Sequence, residues 1–294
     1  MSVQPISTAG EPVAELEESR RLWKDGLARG HRMADFIEDQ IGSLASKHVL
    51  EIGVGGGGIA RAFHSRGASV VAGDFIADTL EALAVRQREW GKPLHLVRLD
   101  AVALPFAENS FDIVVLNGVL EYMGCRSEHG TPDVHQVRAL TAICHSLRPG
   151  GWLYLAIENR FDPASLFRDP HTGQPLVSWL PRRFASLVSK TFSGDDYHHW
   201  THSLNALKGL VRRAGFSDAR VFLPVPSYQF PLLLQPESQV QSISTAWRDV
   251  WSTTSYSDLK RVTALGWKGR MFLRLMGASR SPALASAFVL LCRK

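Results

Sequence analysis

An acid and a cluster of glycines lie where a short apolar segment is followed by a helical one. Glu51 comes directly after an apolar pair, and glycines follow at Gly53, Gly55 and Gly57. Glycine permits a positive φ and lets a ligand approach backbone amides, because no Cβ stands between them. The segment therefore predicts a turn that binds a nucleotide, although the spacing of Gly53, Gly55 and Gly58 also fits a turn that binds a dinucleotide.

Polar residues end three further apolar segments that are predicted to be strands. Asp74, Asp100 and Asn117 each lie at the end of one of these segments. In either kind of nucleotide-binding protein, the acid after the second strand accepts hydrogen bonds from ribose hydroxyls. Asp112, at the start of the fourth strand, is expected instead to cap a turn.

The order of features further along the chain separates the two kinds of nucleotide site. Thr131-Pro132 begins a predicted helix that ends before the segment Leu147 to Gly151, since proline is favoured inside a helix start and glycine past its end. With this order, residues 45 to 160 resemble the class I S-adenosylmethionine-dependent methyltransferases. The resemblance implies a methyltransferase with S-adenosyl-L-methionine as its cofactor.

The resemblance also implies which residues contact that cofactor. The turn from Gly53 to Gly57 is expected to hold its methionine part. The other implied contacts are Glu51 near the ammonium group, Asp74 on the ribose hydroxyls, Phe75 beside the adenine, Asp100 and Ala101 against the adenine, and Asn117 under the methionine.

The sequence predicts an α/β protein with a Rossmann-like, mostly parallel sheet of seven strands and helices on both faces. The family resemblance implies that the final strand is antiparallel and lies beside the sixth. The predicted strands are residues 47–52, 69–74, 94–99, 111–116, 152–157, 219–224 and 286–294.

Two stretches are much longer than ordinary connections in such a sheet. The predicted division is an N-terminal helical segment (1–46), the cofactor-binding half (47–158), a lid insertion (159–203), the sheet continuation (204–226), a second insertion (227–284) and the final strand (285–294). Both insertions leave from the carboxyl edge of the strands, where ligands bind in open α/β sheets. We therefore expect them to form a lid over the acceptor.

Candidate catalytic residues are concentrated in the first insertion. Methyl transfer to a hydroxyl requires an aligned nucleophile and a base that removes its proton, and neutral histidine is a common base. His171 and His199 are the candidate bases, and Tyr197 and Glu158 are candidate supporting groups. The chain is accordingly predicted to O-methylate a small molecule.

The nature of the acceptor is less clearly encoded. The segments 157–161, 171–173 and 224–231 are similar to a methyltransferase subgroup of bacterial surface-glycan and sugar-modifying pathways, from which Asp162 departs. The predicted acceptor is therefore sugar-containing or otherwise hydroxylated. An amine acceptor would suit the pair Asp195-Asp196, and a carboxylate acceptor would suit Arg182-Arg183.

Composition excludes several classes of protein. The 294 residues are 45% hydrophobic and 21% charged, as in a globular domain, and no segment approaches the length of a membrane span. The three cysteines lack metal-ligand spacing, and the first residues lack a signal pattern. We therefore expect reduced thiols, no metal site, no integral membrane association and a cytoplasmic protein, and we leave the oligomeric state open.

Two alternatives from other classes remain at this point. One is a nicotinamide-dependent oxidoreductase, which the glycine spacing permits. The other is a non-catalytic scaffold that binds RNA or another anionic partner through the basic segment from Lys260 onward. Nucleic acid is a disfavoured substrate, because Asn117 is followed by Gly118 and Val119 rather than by the paired prolines of base-amine methyltransferases.

Overall fold

The structure is a computed structural model that describes residues 13–90, 93–125, 131–167, 169, 171–239 and 281–294. Its helices are α1 (Val13–Ile41), α2 (Gly58–Ser65), α3 (Ala77–Arg86), α4 (Pro132–Ser146), α5 (Arg182–Ser193) and α6 (Leu204–Arg213). Its strands are β1 (His48–Ile52), β2 (Ser69–Asp74), β3 (His95–Arg98), β4 (Phe111–Asn117), β5 (Leu147–Glu158), β6 (Asp218–Ser227), β7 (Phe230–Pro236) and β8 (Ala287–Arg293).

All eight strands form one sheet in the order β3-β2-β1-β4-β5-β8-β6-β7. Neighbouring strands from β3 to β5 are parallel, whereas β8 runs antiparallel to both β5 and β6. The predicted Rossmann-like sheet and its antiparallel final strand are confirmed. Because β8 is inserted between β5 and β6, it is an interior strand of the sheet.

The predicted number of seven strands is wrong, because β7 adds an eighth at the edge of the sheet. It pairs antiparallel with β6 across a tight turn, inside the stretch expected to be a second insertion. Pro231 and Pro236 obscured it in the sequence, since proline cannot donate a ladder hydrogen bond and is tolerated mainly in edge strands. The remainder of that insertion, residues 240–280, and most of the basic segment lie outside the described residues.

Helices cover both faces of the sheet, as predicted. Successive side chains of a strand point to opposite faces, so Val114 packs with the layer of α4 and α6, and Val115 packs with the layer of α1, α2 and α3. Both valines are fully buried. This explains the nearly continuous apolar sequence of the central strands, which are buried on both sides.

Helix α1 is held unusually close to α2 by glycines. A Cβ on Gly30 would lie 2.6 Å from the carbonyl oxygen of Gly58, and a Cβ on Gly58 would lie 2.3 Å from the carbonyl carbon of Gly26. Only glycine permits this approach. As a result α1 lies beside the start of α2, and therefore beside the glycines that precede it.

Residues 159–203 form a folded unit tied to the carboxyl edge of the sheet. Asn159 pairs with His202 in an isolated bridge. The side-chain amide of Asn159 donates to the carbonyls of Ala283 (2.8 Å) and Ala285 (2.7 Å). The unit includes α5 and a small apolar cluster of its own. Its closure over an acceptor stays a prediction. Among the described helices, none has the length and apolarity required to span a bilayer.

Candidate active site

The glycine turn, residues 51–58, joins β1 to α2 with backbone geometry that side chains do not tolerate. Gly53 has φ +79° and its amide donates to the carbonyl of Gly73 at 2.8 Å. A Cβ on Gly53 would lie 2.3 Å from Cγ2 of Val119. Gly57 has φ +78° and caps α2. The turn therefore presents bare backbone at the carboxyl edge of the sheet.

Two buried oxygen atoms beside this turn have no hydrogen-bond partner among the described residues. They are Oε2 of Glu51 and Oδ1 of Asn117, at the carboxyl ends of β1 and β4. Burial raises the pKa of Glu51 to about 8, although the charge of Arg29 opposes this shift. Buried acceptors are normally satisfied, so these oxygens fit a ligand that donates hydrogen bonds, such as an ammonium group.

Arg29, which the sequence analysis missed, extends the same site from α1. Its Nε is buried and has no partner among the described residues. A guanidinium in this position fits a carboxylate. The spacing of Gly26 and Gly30 on one face of α1 was the signal that could have revealed a close helix contact, and with it Arg29.

The ends of β2 and β3 carry the remaining predicted cofactor residues. The carboxylate of Asp74 accepts from the amides of Gly55 (3.3 Å) and Ile76 (3.0 Å), which fixes its orientation beside the turn. Phe75 is 64% exposed, which leaves its ring accessible to a ligand. Asp100 is exposed and accepts from a nearby backbone amide at 3.0 Å, and Ala101 beside it is buried.

A second group of side chains, the acid–histidine cluster, consists of Glu121, Glu158, His171 and His199. Glu121 follows β4, Glu158 ends β5, and the histidines come from residues 159–203. Nε2 of His171 contacts Oε2 of Glu158. The ring of His171 stacks on that of His199, with centroids 3.9 Å apart and an interplanar angle of 11°. The structure thus brings together three of the four predicted catalytic residues.

Further side chains hold the cluster in place. Oδ1 of Asp169 accepts from the amide of His171 at 3.0 Å, and Oδ2 accepts from the hydroxyl of Tyr197 at 3.2 Å. Tyr228 donates from its hydroxyl to Oε1 of Glu158 at 3.3 Å. Tyr197, the fourth predicted catalytic residue, therefore supports the loop of His171 and lies edge-on to His199.

The electrostatics of the cluster are dominated by buried acids. Glu121 is fully buried, and neither of its carboxylate oxygens has a partner among the described residues. Burial raises the pKa of Glu121 to about 8. Burial lowers the pKa of His171, but the hydrogen bond and charge of Glu158 outweigh it, so the net shift is upward. Burial and the adjacent His171 lower the pKa of His199 to about 4.

Several candidates for other acceptors lie elsewhere. Arg182 donates to the carbonyls of His199 and Thr201 and lies over the ring of Trp200 at 4.4 Å. Asp195 and Asp196 are exposed. Glu121 was not predicted from the sequence, and its only signal there is its position just past the fourth strand. Tyr122, whose ring makes edge-type contacts with both histidine rings, was not predicted either.

Known proteins share this arrangement of strands and turn. A sequence profile described as a methyltransferase domain matches residues 50–155. The chain is 34% identical over 182 residues to the ubiquinone biosynthesis O-methyltransferase of Chromobacterium violaceum, in an alignment that covers 60% of this chain and 72% of that protein. The chain belongs to the class I S-adenosylmethionine-dependent methyltransferases. It spans about half the length of other relatives of the same name (52% and 51%).

Solved structures agree with the methyltransferase fold. A protein from Thermotoga maritima, described as a possible histamine N-methyltransferase, aligns with a TM-score of 0.51 and 16% identity over 96% of each chain. Phosphoethanolamine N-methyltransferase 2 of Haemonchus contortus, solved with S-adenosyl-L-methionine, aligns with a TM-score of 0.51 and 19% identity over 90% of this chain and 52% of its own.

S-adenosylmethionine is the cofactor of this methyltransferase, and the glycine turn with its unsatisfied oxygens fits that molecule. Family membership excludes the nicotinamide-dependent alternative and makes the chain an enzyme rather than a non-catalytic scaffold. The predicted role of each cofactor residue and the second resemblance, to sugar-modifying enzymes, stay predictions.

Proposed function

We propose that this methyltransferase transfers the methyl group to a hydroxyl oxygen of a small, sugar-containing or otherwise hydroxylated molecule bound at the acid–histidine cluster. The observation that carries the proposal is the stacked pair of His171 and His199 at the same sheet edge as the glycine turn. Curated relatives that are named O-methyltransferases support oxygen as the attacked atom.

The two histidines have different roles in this proposal. Nε2 of His171 is engaged by Glu158, whereas Nδ1 of His199 has no partner among the described residues. His199 is therefore the base. Glu158 holds the ring of His171, and that ring in turn fixes the plane of the His199 ring stacked on it. Tyr197 and Asp169 position the loop that carries His171.

The cofactor supplies an electrophilic methyl group on a positively charged sulfur. The imidazole of His199 would take the hydroxyl proton as the acceptor oxygen receives the methyl group, and the bonding pair of the broken carbon–sulfur bond would remain on the cofactor sulfur. Residues in and beside the glycine turn would bind and orient the cofactor: Glu51 and Asn117 would accept from its ammonium group, Arg29 would bind its carboxylate, and Asp74 would hold its ribose.

Aromatic surface at the cluster suits a ring-shaped acceptor. Tyr122 is 52% exposed and its ring edge meets both histidines. Such a side chain packs against the face of a sugar or phenol ring while its hydroxyl binds a polar group. An amine or carboxylate acceptor is less well matched, because Arg182 is bonded to backbone carbonyls and Asp195 is exposed.

The proposal is tested in two steps. S-adenosylhomocysteine is first titrated calorimetrically into the wild type and into Asp74→Ala, which we expect to lose affinity by about tenfold or more. A panel of sugars, phenols and amines is then incubated with S-adenosylmethionine, and methylated products are detected by mass. We expect methylation of hydroxylated compounds only, and methylation of amines alone would overturn the proposal.

His199 is tested on the acceptor that the panel identifies. His199→Ala should lower kcat by about 10²-fold or more, with the affinity for S-adenosylhomocysteine unchanged. His198→Ala is the matched control, because this neighbouring histidine contacts the carbonyl of Cys125 (3.2 Å) rather than the cluster. Equal kcat values in both variants would remove His199 as the base.

A further inference from the structure

We propose that Glu121, Glu158 and His171 bind a divalent metal cation. One ligand atom from each residue can be chosen so that all three lie within 4.8 Å of one another. Ligands at about 2.0 to 2.2 Å from a common ion are about 3 to 4.4 Å apart. The three side chains are therefore nearly in the arrangement that one ion would require.

Glu121 provides the independent evidence for a ligand. It is fully buried, it points into the cluster, and both of its carboxylate oxygens lack a partner among the described residues. Leaving a buried polar group unsatisfied costs about 1 to 3 kcal/mol, and more when the group is charged. Buried charges are normally paired or bound to metals. Glu158, 9% exposed, adds a second acid to the same pocket.

Supporting contacts resemble the outer contacts of a metal site. Tyr228 donates to the oxygen of Glu158 that does not contact His171, and Asp169 accepts from the amide of His171. Hydrogen bonds to ligating carboxylates and to the loops of ligating histidines orient the ligands of metal sites. The ligands are thus held before any ion arrives, which lowers the entropic cost of binding it.

The donor set indicates the class of cation. Two carboxylate oxygens and one imidazole nitrogen suit Mn²⁺ or Mg²⁺ better than metals that prefer thiolate ligands. Zn²⁺ also accepts an imidazole nitrogen as a ligand. The cysteine nearest to these residues in the chain, Cys125, donates from its thiol to the carbonyl of Glu121 (3.0 Å) and is not part of the three-residue ligand group. We infer an oxygen-preferring divalent ion.

Such a cation would also define the acceptor more closely. Three protein ligands leave coordination positions open, and an ion with open positions binds and acidifies a hydroxyl. Adjacent oxygens on one molecule can occupy two of these positions, so the acceptor class narrows to compounds with neighbouring hydroxyls, such as sugars and catechols. This role rests on the proposed O-methyl transfer, whereas binding of the ion does not.

The test uses the metal alone. Protein treated with chelator and saturated with S-adenosylhomocysteine is titrated calorimetrically with MnCl₂, MgCl₂ and ZnCl₂, and Mn²⁺ binding is confirmed by electron paramagnetic resonance. We expect saturable binding of one Mn²⁺ per chain, weakened at least about tenfold in Glu121→Gln and in His171→Ala. Asp195→Asn, which removes an exposed acid from the same insertion, should bind as the wild type does.

Each outcome decides for or against the site. Wild-type protein without saturable binding, or with binding that both variants retain, overturns it. If Glu121→Gln does not fold, as judged by circular dichroism, His171→Ala decides alone. Binding of Mn²⁺ without methylation of hydroxyls refutes the proposed function but supports the metal site. Methylation of hydroxyls without any metal binding supports the proposed function but refutes the metal site.

Discussion

The glycine turn and the acid–histidine cluster lie at the same edge of the sheet but are positioned by different means. The turn is held by its own backbone, with the amide of Gly53 bonded to the carbonyl of Gly73 on the adjacent strand. The cluster is held by side chains from three separate elements, and residues 159–203 supply both histidines. We therefore expect the backbone of the turn to serve the cofactor and the added unit to serve the acceptor.

This difference predicts how each region responds to change. A Cβ introduced at Gly53 or Gly57 would strain the backbone and meet a neighbouring side chain, because both glycines have a positive φ and lie against Val119 and Leu83. When one side chain of the cluster is replaced, the chemical function of that side chain is lost while the surrounding sheet stays intact. Substitutions in the turn should therefore affect binding and stability together, and substitutions in the cluster should separate them.

The largest effect is expected for Gly53→Ala. The new Cβ would meet Cγ2 of Val119 at 2.3 Å while the residue keeps φ +79°. Positive φ costs about 1 to 2 kcal/mol and overpacking about 1 to 3 kcal/mol. We expect a loss of unfolding free energy of about 2 to 5 kcal/mol in urea titration, together with lost affinity for S-adenosylhomocysteine.

Gly42→Ala is the matched control. Gly42 has φ +91°, but a Cβ there would meet nothing within 4 Å. The unfolding free energy of this variant should fall only by the backbone strain, about 1 to 2 kcal/mol. The variant should bind S-adenosylhomocysteine normally. Equal losses of affinity in both variants would show that close approach in the turn is not what binding requires.

The glycine turn could be predicted from sequence because all its determinants are local. An acid, a cluster of glycines and a helix start within a few residues already define a strand, a positive-φ turn and exposed amides. The acid–histidine cluster could be predicted only in part. Glu158, His171 and His199 were identified by residue type, but their mutual contacts depend on how residues 159–203 fold back onto the sheet.

Glu121 could not be identified from the sequence because only its three-dimensional surroundings distinguish it from other acids. A lone acid after a strand is common, and only burial beside Glu158 and His171 makes it unusual. The same reason explains why the proposed metal site was not predicted from the sequence, since the three residues have no ligand spacing along the chain. The eighth strand was missed because Pro231 and Pro236 weaken its strand pattern, which an edge strand tolerates.

A middle-sized effect is expected from the buried acid of the glycine turn. The unfolded chain releases the Glu51 proton near pH 4.5, whereas burial holds the proton in the folded protein up to about pH 8. The folded state is thus favoured by this group at low pH, and that advantage is lost as the pH rises through this window. In Glu51→Gln the dependence should disappear, because the side chain no longer titrates.

Urea titrations at pH 5 and pH 9 without cofactor measure this effect. From the lower to the higher pH, the wild type should lose on the order of 3 to 4 kcal/mol relative to Glu51→Gln. S-adenosylmethionine should restore more stability to the wild type at the higher pH, since its ammonium group pairs with the carboxylate. Parallel curves for the two proteins would show that Glu51 ionises normally in the folded state.

The smallest effect is expected at the opposite edge of the sheet, where Asp112 has a structural role. Instead of capping a turn as predicted, its carboxylate accepts from the amide of His48 (2.8 Å) and from Nη1 of Arg148 (2.7 Å). Partial burial opposes its ionisation, but these two hydrogen bonds outweigh burial and lower the pKa of Asp112. The stabilisation is therefore present above the ordinary pKa of aspartate and is lost as the pH falls through the lowered value.

Asp112→Ala should cost about 1 kcal/mol at pH 7 and nothing in cofactor affinity. Asp112→Asn keeps an oxygen that can accept from His48 and should recover part of the loss. The contrast with Asp74 is informative, because both aspartates accept hydrogen bonds from backbone amides, but only Asp74 lies beside the glycine turn. A fall in affinity for S-adenosylhomocysteine in Asp112→Ala would mean that the two edges are coupled through β1 and β4, and that the cofactor site is less local than its backbone suggests.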